Sequence, residues 1–331
     1  MPAPELHRTP SWIVTGSSGF IGTHLSNRLG DVCSADSFYG IDKEKPESPV
    51  RYRHVQADIR CLDSLRDSTS QSGQPDVVFH LAASAEVLTP WAQVPALLSS
   101  NLEGTYNVLE GLDPRLMIFA SSSSVYGNAG LRPADPQRSA LQPLCLYAIS
   151  KMSGEMMVRD WARESNRAAV IFRFGNVVGS KCRGLIPYLI NHVQRYPEGG
   201  VVARLRGNGR LVRDYVPVDY VVRVLTAAAR IDWPAQPDVA LNLGSGLAMT
   251  NRDVTEIVQQ IAREQGFRLD VSFDDPPGHG EANEIVLDME ETVKLLGIAP
   301  PGAAEIRRVI AETVLKALHY AQPASFSTAH I

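Results

Sequence analysis

"SWIVTGSSGFIGTHLSNRLG" (residues 11–30) is the stretch that decides how the chain is built. A short apolar run gives way to glycines at 16, 19 and 22, then to apolar residues at helical spacing. Phe20, Ile21, Leu25 and Leu29 would form the buried face of a helix, and Gly30 can end it. Strand, glycine turn and helix N-terminus, in that order, let backbone N–H groups approach a pyrophosphate where the helix dipole favours an anion. A glycine triplet alone also fits a structural turn, so the neighbours carry the reading. "DVCSAD" (31–36) reads as a second strand, and Asp36 ends it 20 residues after Gly16. A carboxylate there can accept hydrogen bonds from both hydroxyls of an adenosine ribose and repels a 2′-phosphate. No Arg or Lys follows until Lys43, which favours NAD over NADP as cofactor.

The alternation continues. "YRHVQAD" (52–58), "PDVVFHLAA" (75–83), "RLMIFASS" (115–122) and "AAVIFRF" (168–174) read as further strands. Most are continuous rather than alternating, as parallel strands covered on both faces require. Helical patterns lie between and after them, at about 20–29, 60–69, 94–111, 145–165, 185–195, 217–230, 250–265 and 304–319. The expected fold class is α/β, a doubly wound parallel sheet of Rossmann type with a smaller α/β lobe. Residues 1–178 are expected to form the dinucleotide domain, with some later segments returning to it. Residues 179–320 would form mainly the substrate lobe, and 321–331 a flexible tail.

Bulk properties exclude other classes. The chain has 331 residues, 44% of them hydrophobic and 21% charged, as a soluble protein with a real core has. A formal net charge of −4 argues against nucleic acid as the main partner. No apolar run approaches the length of about 20 residues that spans a bilayer, so no membrane partner is expected. "MPAPELHRTPSWIV" lacks a basic-then-apolar export pattern, which sets a cytoplasmic expectation. Cys33, Cys61, Cys145 and Cys182 show no paired spacing and read as reduced thiols, and no metal site is expected.

Two further stretches carry chemistry. "SSSSVYG" (121–127) puts four hydroxyls at the end of an apolar strand, where they pack nothing. "YAISK" places Tyr147 and Lys151 four apart, on one face of a helix whose other side, with Ile149, Met152, Met156 and Trp161, can dock on the sheet. Such a pair is commonly surface decoration, but beside a dinucleotide site it suggests a base. Free tyrosine has a pKa near 10, so acting near neutrality needs a shift of about 3 units, roughly 4 kcal/mol. A nearby ammonium and a positive nicotinamide ring can supply much of it.

Taken together, "TGSSGFIG" (15–22), "AD" (57–58), "HLAA" (80–83), "NLEGTYNVLEG" (101–111), "SSSSVYG" and "YAISK" resemble the extended short-chain dehydrogenase/reductases. The resemblance is to the NAD-dependent epimerase/dehydratase branch, including UDP-glucose 4-epimerases and their uronate and N-acetylhexosamine relatives. It continues through "RFGNVVG" (173–179), "LIPYL" (185–189), "GNGRLVRDYVPVDYVV" (207–222) and "LNLGSG" (241–246). The resemblance implies that Ser122, Tyr147 and Lys151 are the catalytic triad. By it, Gly16, Gly19, Phe20, Ile21, Gly22, Asp36, Asp58, Ile59, Leu81, Ala82, Ala83 and Phe174 would meet NAD, together with Tyr147 and Lys151. Ser123, Ser124, Asn176, Arg183 and Leu185 would touch the nucleotide sugar, and Arg213 its diphosphate. One departure stands out: the family usually has an arginine shortly before a Gly-Asp pair, where this chain has "PPGHGE" (276–281). Glu281 can replace the aspartate, but the arginine is missing, so diphosphate binding would lean on Arg213 with Arg204 or Arg206.

Relatives that eliminate water or lose carbon dioxide place a carboxylate after the catalytic hydroxyl, where this chain has Ser123 and Ser124. Hydroxyls suit oxidation, turning over and re-reduction of a sugar, so NAD-dependent 4-epimerisation of a nucleotide sugar, with UDP as the nucleotide, is expected. The alternatives are another nucleotide-sugar oxidoreductase on the same scaffold and a non-catalytic dinucleotide-binding protein. The resemblance also implies a homodimer, through the helices near 94–111 and 145–165. Arg183, in the connection "GSKCRGLIPYL", can bind a C6 carboxylate if the sugar is a uronate. A neutral hexose is the competing expectation.

Overall fold

The apolar runs are rich in β-branched and aromatic residues, and most of them become strands buried on both faces, the edge strand Arg53–Gln56 excepted. The computed structural model describes residues 11–34, 37–69, 73–128, 133–234, 239–275 and 280–320. In chain order its strands are β1 (Trp12–Thr15), β2 (Phe38–Asp42), β3 (Arg53–Gln56), β4 (Val77–His80), β5 (Leu116–Ser122) and β6 (Ala168–Phe174). Then come β7 (Asn176–Val178), β8 (Val202–Arg206), β9 (Val212–Pro217), β10 (Val239–Leu243), β11 (Ala248–Thr250) and β12 (Asp270–Asp275). The helices are α1 (Phe20–Val32), α2 (Leu62–Thr69), α3 (Val94–Leu98), α4 (Gly104–Leu112) and α5 (Leu146–Ser165). They continue with α6 (Leu185–Arg195), α7 (Val218–Ala228), α8 (Asn251–Glu264), α9 (Glu290–Leu296) and α10 (Ala303–Tyr320).

Among the described residues, seven strands form one sheet in the order β10-β6-β5-β4-β1-β2-β3. Every neighbouring pair is parallel. The chain starts at β1, runs outward to β3, then returns to the other side of β1 with β4. That reversal opens a crevice between β1 and β4 at the carboxyl ends of the strands, where ligands bind in such sheets. Ile118 and Phe172 point into one core, and Met117, Phe119 and Ile171 into the core on the opposite face. A third core holds Leu189, Val193, Leu205, Val258 and Ile310. Phe20 packs against both the first and the third. After leaving the large sheet at β6 the chain comes back to it with α7 and β10, whose Val221, Leu225 and Leu241 join the first core. Two small sheets, β11-β9-β7 and β12-β8, complete the other side. No helix among the described residues is long and apolar enough to cross a membrane.

Four expectations change. The second strand is Phe38–Asp42 rather than 31–36, because α1 runs on through Gly30 to Val32. Gly30 lacks the left-handed conformation of a helix stop. Its bare Cα lies against Arg51, and the helix ends when Cys33 N–H donates to the Leu29 carbonyl at 2.8 Å. Asp36 lies outside the described residues, as does the tail 321–331. The helix expected over 94–111 is interrupted by a π-helical turn, Ser99–Glu103. On α5, Ile149 and Met156 face outward, 41% and 59% exposed, instead of docking on the sheet. The docked face is set by Gly154, where a Cβ would stand 2.7 Å from the Phe119 ring, and includes Tyr147, Lys151 and Glu155. Helix α9 has no counterpart in the expectations.

Candidate active site

The glycine turn after β1 is held in a conformation that side chains would spoil. Gly16 has φ of 75°, and a Cβ there would meet the Ala82 nitrogen at 2.7 Å. A Cβ on Gly22 would fall 1.8 Å from the Gly16 carbonyl oxygen. No side chain caps α1 at Gly19, which leaves its N-terminal N–H groups to a ligand. The turn opens on a cavity of about 500 Å³ lined by Gly16, Gly19, Asp58, Ile59 and Leu81, Ala82 and Ala83.

The strand-end carboxylate at this cavity is Asp42. Its Oδ2 accepts from Ser18 N–H at 2.9 Å and its Oδ1 from Glu44 N–H at 2.9 Å. Lys43 follows it directly, so the stretch without a cation that follows Asp36 in the sequence has no counterpart after Asp42. Arg60 grips Asp58 through Nε at 3.0 Å and Nη2 at 2.6 Å, which holds the Asp58 carboxyl below its ordinary range.

A second cavity of about 660 Å³ adjoins the first. Ser122 caps the short 3-10 turn Ser123–Tyr126: its Oγ accepts from Ser124 N–H at 3.2 Å and from Ser124 Oγ at 2.9 Å. Tyr147 and Ser122 both line this cavity. Burial pushes the Tyr147 phenol up, while the Ser122 hydroxyl and the Arg183 charge pull it down. Lys151 Nζ donates to the Ala120 carbonyl at 2.9 Å. Burial pushes its ammonium down to about 8, opposed by Glu155. The three expected catalytic groups therefore meet at the end of β5.

Phe20, Ile21, Phe174, Ser123, Ser124 and Leu185 line this second cavity, as do Asn176, Arg213 and Glu281. Burial pushes the Tyr215 phenol up, and Arg213 and Asn176 oppose that. Arg213 Nη1 donates to the Val212 carbonyl at 2.9 Å; burial pushes its guanidinium down, and the charges of Tyr215 and Glu281 oppose that. Arg183 lines both cavities. Its loop is tied across to the segment after β2 by an ion pair between Lys181 and Glu47. Arg204 and Arg206 are not brought here: they lie on the exposed side of β8, away from both cavities.

Several residues at the site carried no expectation. Buried Asn101 accepts from Ser84 N–H at 2.7 Å and donates to Ser150 Oγ at 2.9 Å, joining the cavity wall to α5. Glu86 stands on the wall of the second cavity. Glu155 continues the four-residue spacing of Tyr147 and Lys151, a signal that was there to be seen.

Residues 12–244 match the model of the NAD dependent epimerase/dehydratase family. The chain belongs to that family. It is 29% identical over 235 residues to a probable UDP-glucuronate 4-epimerase of Rhizobium meliloti, covering 66% of this chain and 68% of that protein. It is 29% identical over 296 residues to a putative UDP-glucose 4-epimerase of Methanocaldococcus jannaschii, covering 86% and 91%. A UDP-N-acetyl-alpha-D-glucosaminuronate decarboxylase of Bacillus cytotoxicus is 27% identical over 285 residues, covering 81% and 85%. The structure of MoeE5 in complex with UDP-glucuronic acid and NAD superposes with a TM-score of 0.79 at 25% identity, over 94% of this chain and 99% of that one. The family's cofactor is NAD, and the glycine cradle with an uncapped helix N-terminus fits a dinucleotide pyrophosphate.

Proposed function

We propose that the protein is a 4-epimerase of a nucleotide sugar, with UDP as the nucleotide. The observation that carries this is the hydroxyl run Ser122–Ser124 beside Tyr147. The two positions after Ser122 are hydroxyls, which cannot take a proton from carbon or drive out a leaving hydroxyl. The carboxylate touching the run, Glu155, is bound beneath it by Arg173. Asp42 in place of Asp36 would receive the ribose, and Asp58 and Ile59 the adenine.

When bound, NAD supplies reversible hydride acceptance and, oxidised, a positive ring charge. Tyr147 as phenolate takes the proton of the C4 hydroxyl, directly or through Ser122. Lys151 and Arg183 stabilise that phenolate against the cost of burial. Ser123 and Ser124 hydrogen-bond the sugar without favouring loss of a substituent. The keto sugar turns over while Arg213 holds its diphosphate, with Asn176 and Leu185 on the nucleotide side, and Tyr147 then returns the proton to the other epimer. Residues 179–320 would act mainly as the lobe that holds the nucleotide sugar.

Homodimerisation fits the apolar surface left on α3, α4 and α5, where Tyr106 and Met156 are more than half exposed at 51% and 59%. Free Cys33, Cys61, Cys145 and Cys182 suit a reducing, cytoplasmic setting. A uronate substrate is the reading favoured by Arg183, a cation on the wall of the second cavity near Tyr147. The decisive experiment is incubation with UDP-, dTDP- and GDP-sugars, with products resolved by anomeric-proton NMR. A C4 epimer formed without accumulating NADH is expected; steady NADH release would instead mark a dehydrogenase.

A further inference from the structure

Beneath the serine run lies a charged pair that the proton transfer itself does not use. Tyr147, Lys151 and Glu155 recur at four-residue spacing and form one stripe of α5 against the sheet. The Glu155 side chain is fully buried. Its Oε1 accepts from Ser121 Oγ at 2.5 Å and from Arg173 Nε at 2.9 Å, and its Oε2 from Arg173 Nη2 at 2.7 Å. Ser121 and Arg173 are cross-strand partners on β5 and β6. Arg173 also donates to Tyr126 Oη and to the Pro136 carbonyl, both at 3.1 Å. Buried ion pairs contribute little net stability over apolar side chains of the same size, so stability alone does not account for this one. Its neighbours do: Ser121 precedes the catalytic hydroxyl, and Lys151 lies one turn before Glu155.

We propose that Glu155 is a positioning residue, whose charge keeps the Lys151 ammonium protonated and whose bond to Ser121 holds Ser122 in place for Tyr147. Every element packed against Lys151 bears on this. From β4, His80 is pushed down to about 3 by burial and by Lys151, and stays neutral. From β5 come only the Ala120 carbonyl and the Phe119 ring, 5.3 Å from Nζ. From β6 comes Arg173, neutralised by Glu155, with the Tyr126 hydroxyl bound behind it. On α5 itself stand Tyr147 and Arg159, the latter 3.7 Å from Glu155. Glu155 is the one carboxylate acting on Lys151 among the described residues.

The test uses Glu155→Gln and the double variant Glu155→Gln with Arg173→Met, which removes the partner charge as well. Lys151 is titrated in the ligand-free chain by 13C NMR of labelled lysine, assigned with Lys151→Arg, and kcat and KM are followed against pH. The Lys151 midpoint should fall by about one unit in Glu155→Gln and by about half that in the double variant, where the Arg173 charge leaves with the carboxylate. The alkaline limb of kcat should move down with it while KM stays within about twofold, and Glu155→Asp should recover most of the shift. A midpoint within about 0.2 unit of wild type in a folded variant overturns the proposal, as does a uniform loss of rate with the pH profile unmoved. Failure of both variants to fold also overturns it, because the pair would then serve the fold rather than Lys151. The kinetic arm rests on Tyr147 as proton carrier, and the NMR arm does not. A shifted midpoint in a chain whose Tyr147→Phe variant stays active would sink the functional reading and leave this one standing.

Discussion

Of the three glycines of the β1 turn, Gly22 should serve the fold and Gly19 the cofactor. A methyl group on Gly22 would lie 1.8 Å from the Gly16 oxygen, whereas one on Gly19 would lie 3.2 Å from the same atom. Ordinary contact for a Cβ begins at 3.4 Å, so Gly22→Ala forces the turn or the helix to move by roughly 1.6 Å, with backbone strain of several kcal/mol, whereas Gly19→Ala asks for a few tenths of an ångström. Gly22→Ala should therefore lower the stability of the ligand-free chain by about 3 kcal/mol or more. Gly19→Ala meets no such barrier and should cost the ligand-free chain less than about 1 kcal/mol. Its methyl group instead occupies the approach to the uncapped helix N-terminus, so NAD affinity should fall by about tenfold or more. Urea denaturation of the ligand-free variants measures the first effect and calorimetric titration with NAD the second. If Gly19→Ala binds NAD like wild type, or unfolds as easily as Gly22→Ala, the pyrophosphate does not sit at that helix end.

Tyr147→Phe should reduce kcat by at least about 10³-fold with substrate affinity retained, and Ser122→Ala by about 10²-fold; single-turnover kinetics separate binding from chemistry. Lys151 sits below its ordinary pKa of 10.5, at about 8, so its ammonium is present below that pH and lost above it. The rate should accordingly fall on the alkaline side from about pH 8, and an activity profile flat to about pH 10 would contradict it. Asp42→Ala should narrow the preference for NAD over NADP by relieving repulsion of the 2′-phosphate, as binding titrations with both would report. Arg183→Leu should slow both sugars through the lost charge beside Tyr147 and weaken turnover of a UDP-uronate by about 2–3 kcal/mol more than that of a UDP-hexose; equal effects on both would dispose of the carboxylate role.

The strands around the crevice were legible because they are continuous apolar runs, and the pairing of Tyr147 with Lys151 because a helix puts residues four apart on one face. Asp36 and Asp42 show where legibility ended. The expected second strand is "DVCSAD"; "FYGID" carries no expectation, and that placement needs Gly30 to stop α1. It does not, because its missing side chain lets Arg51 lie against the helix, a long-range contact that local sequence does not display. Ile149 and Met156 were misassigned on the premise that apolar residues face inward. On α5 the inward face is partly polar, since Lys151 and Glu155 find buried partners on β5 and β6. Arg204 and Arg206 were named for their charge alone, and the alternation of β8 turns both toward solvent.

The crossing of the chain between its cores limits how this molecule can be divided. A fragment ending at residue 178 would keep the glycine turn and the triad but lose β10, leaving β6 as an unpaired edge with Phe172 and Phe174 along it. It would also strip Val221 and Leu225 from the first core and leave Phe20 packed on one side only. Exposed, flat and apolar, such an edge invites pairing with other chains. Grafting a foreign sugar-binding half onto residues 1–178 would therefore have to bring its own equivalents of α7 and β10. Recombination that exchanges specificity in this scaffold must cut within loops on both sides of those elements, not once at the end of the nucleotide fold.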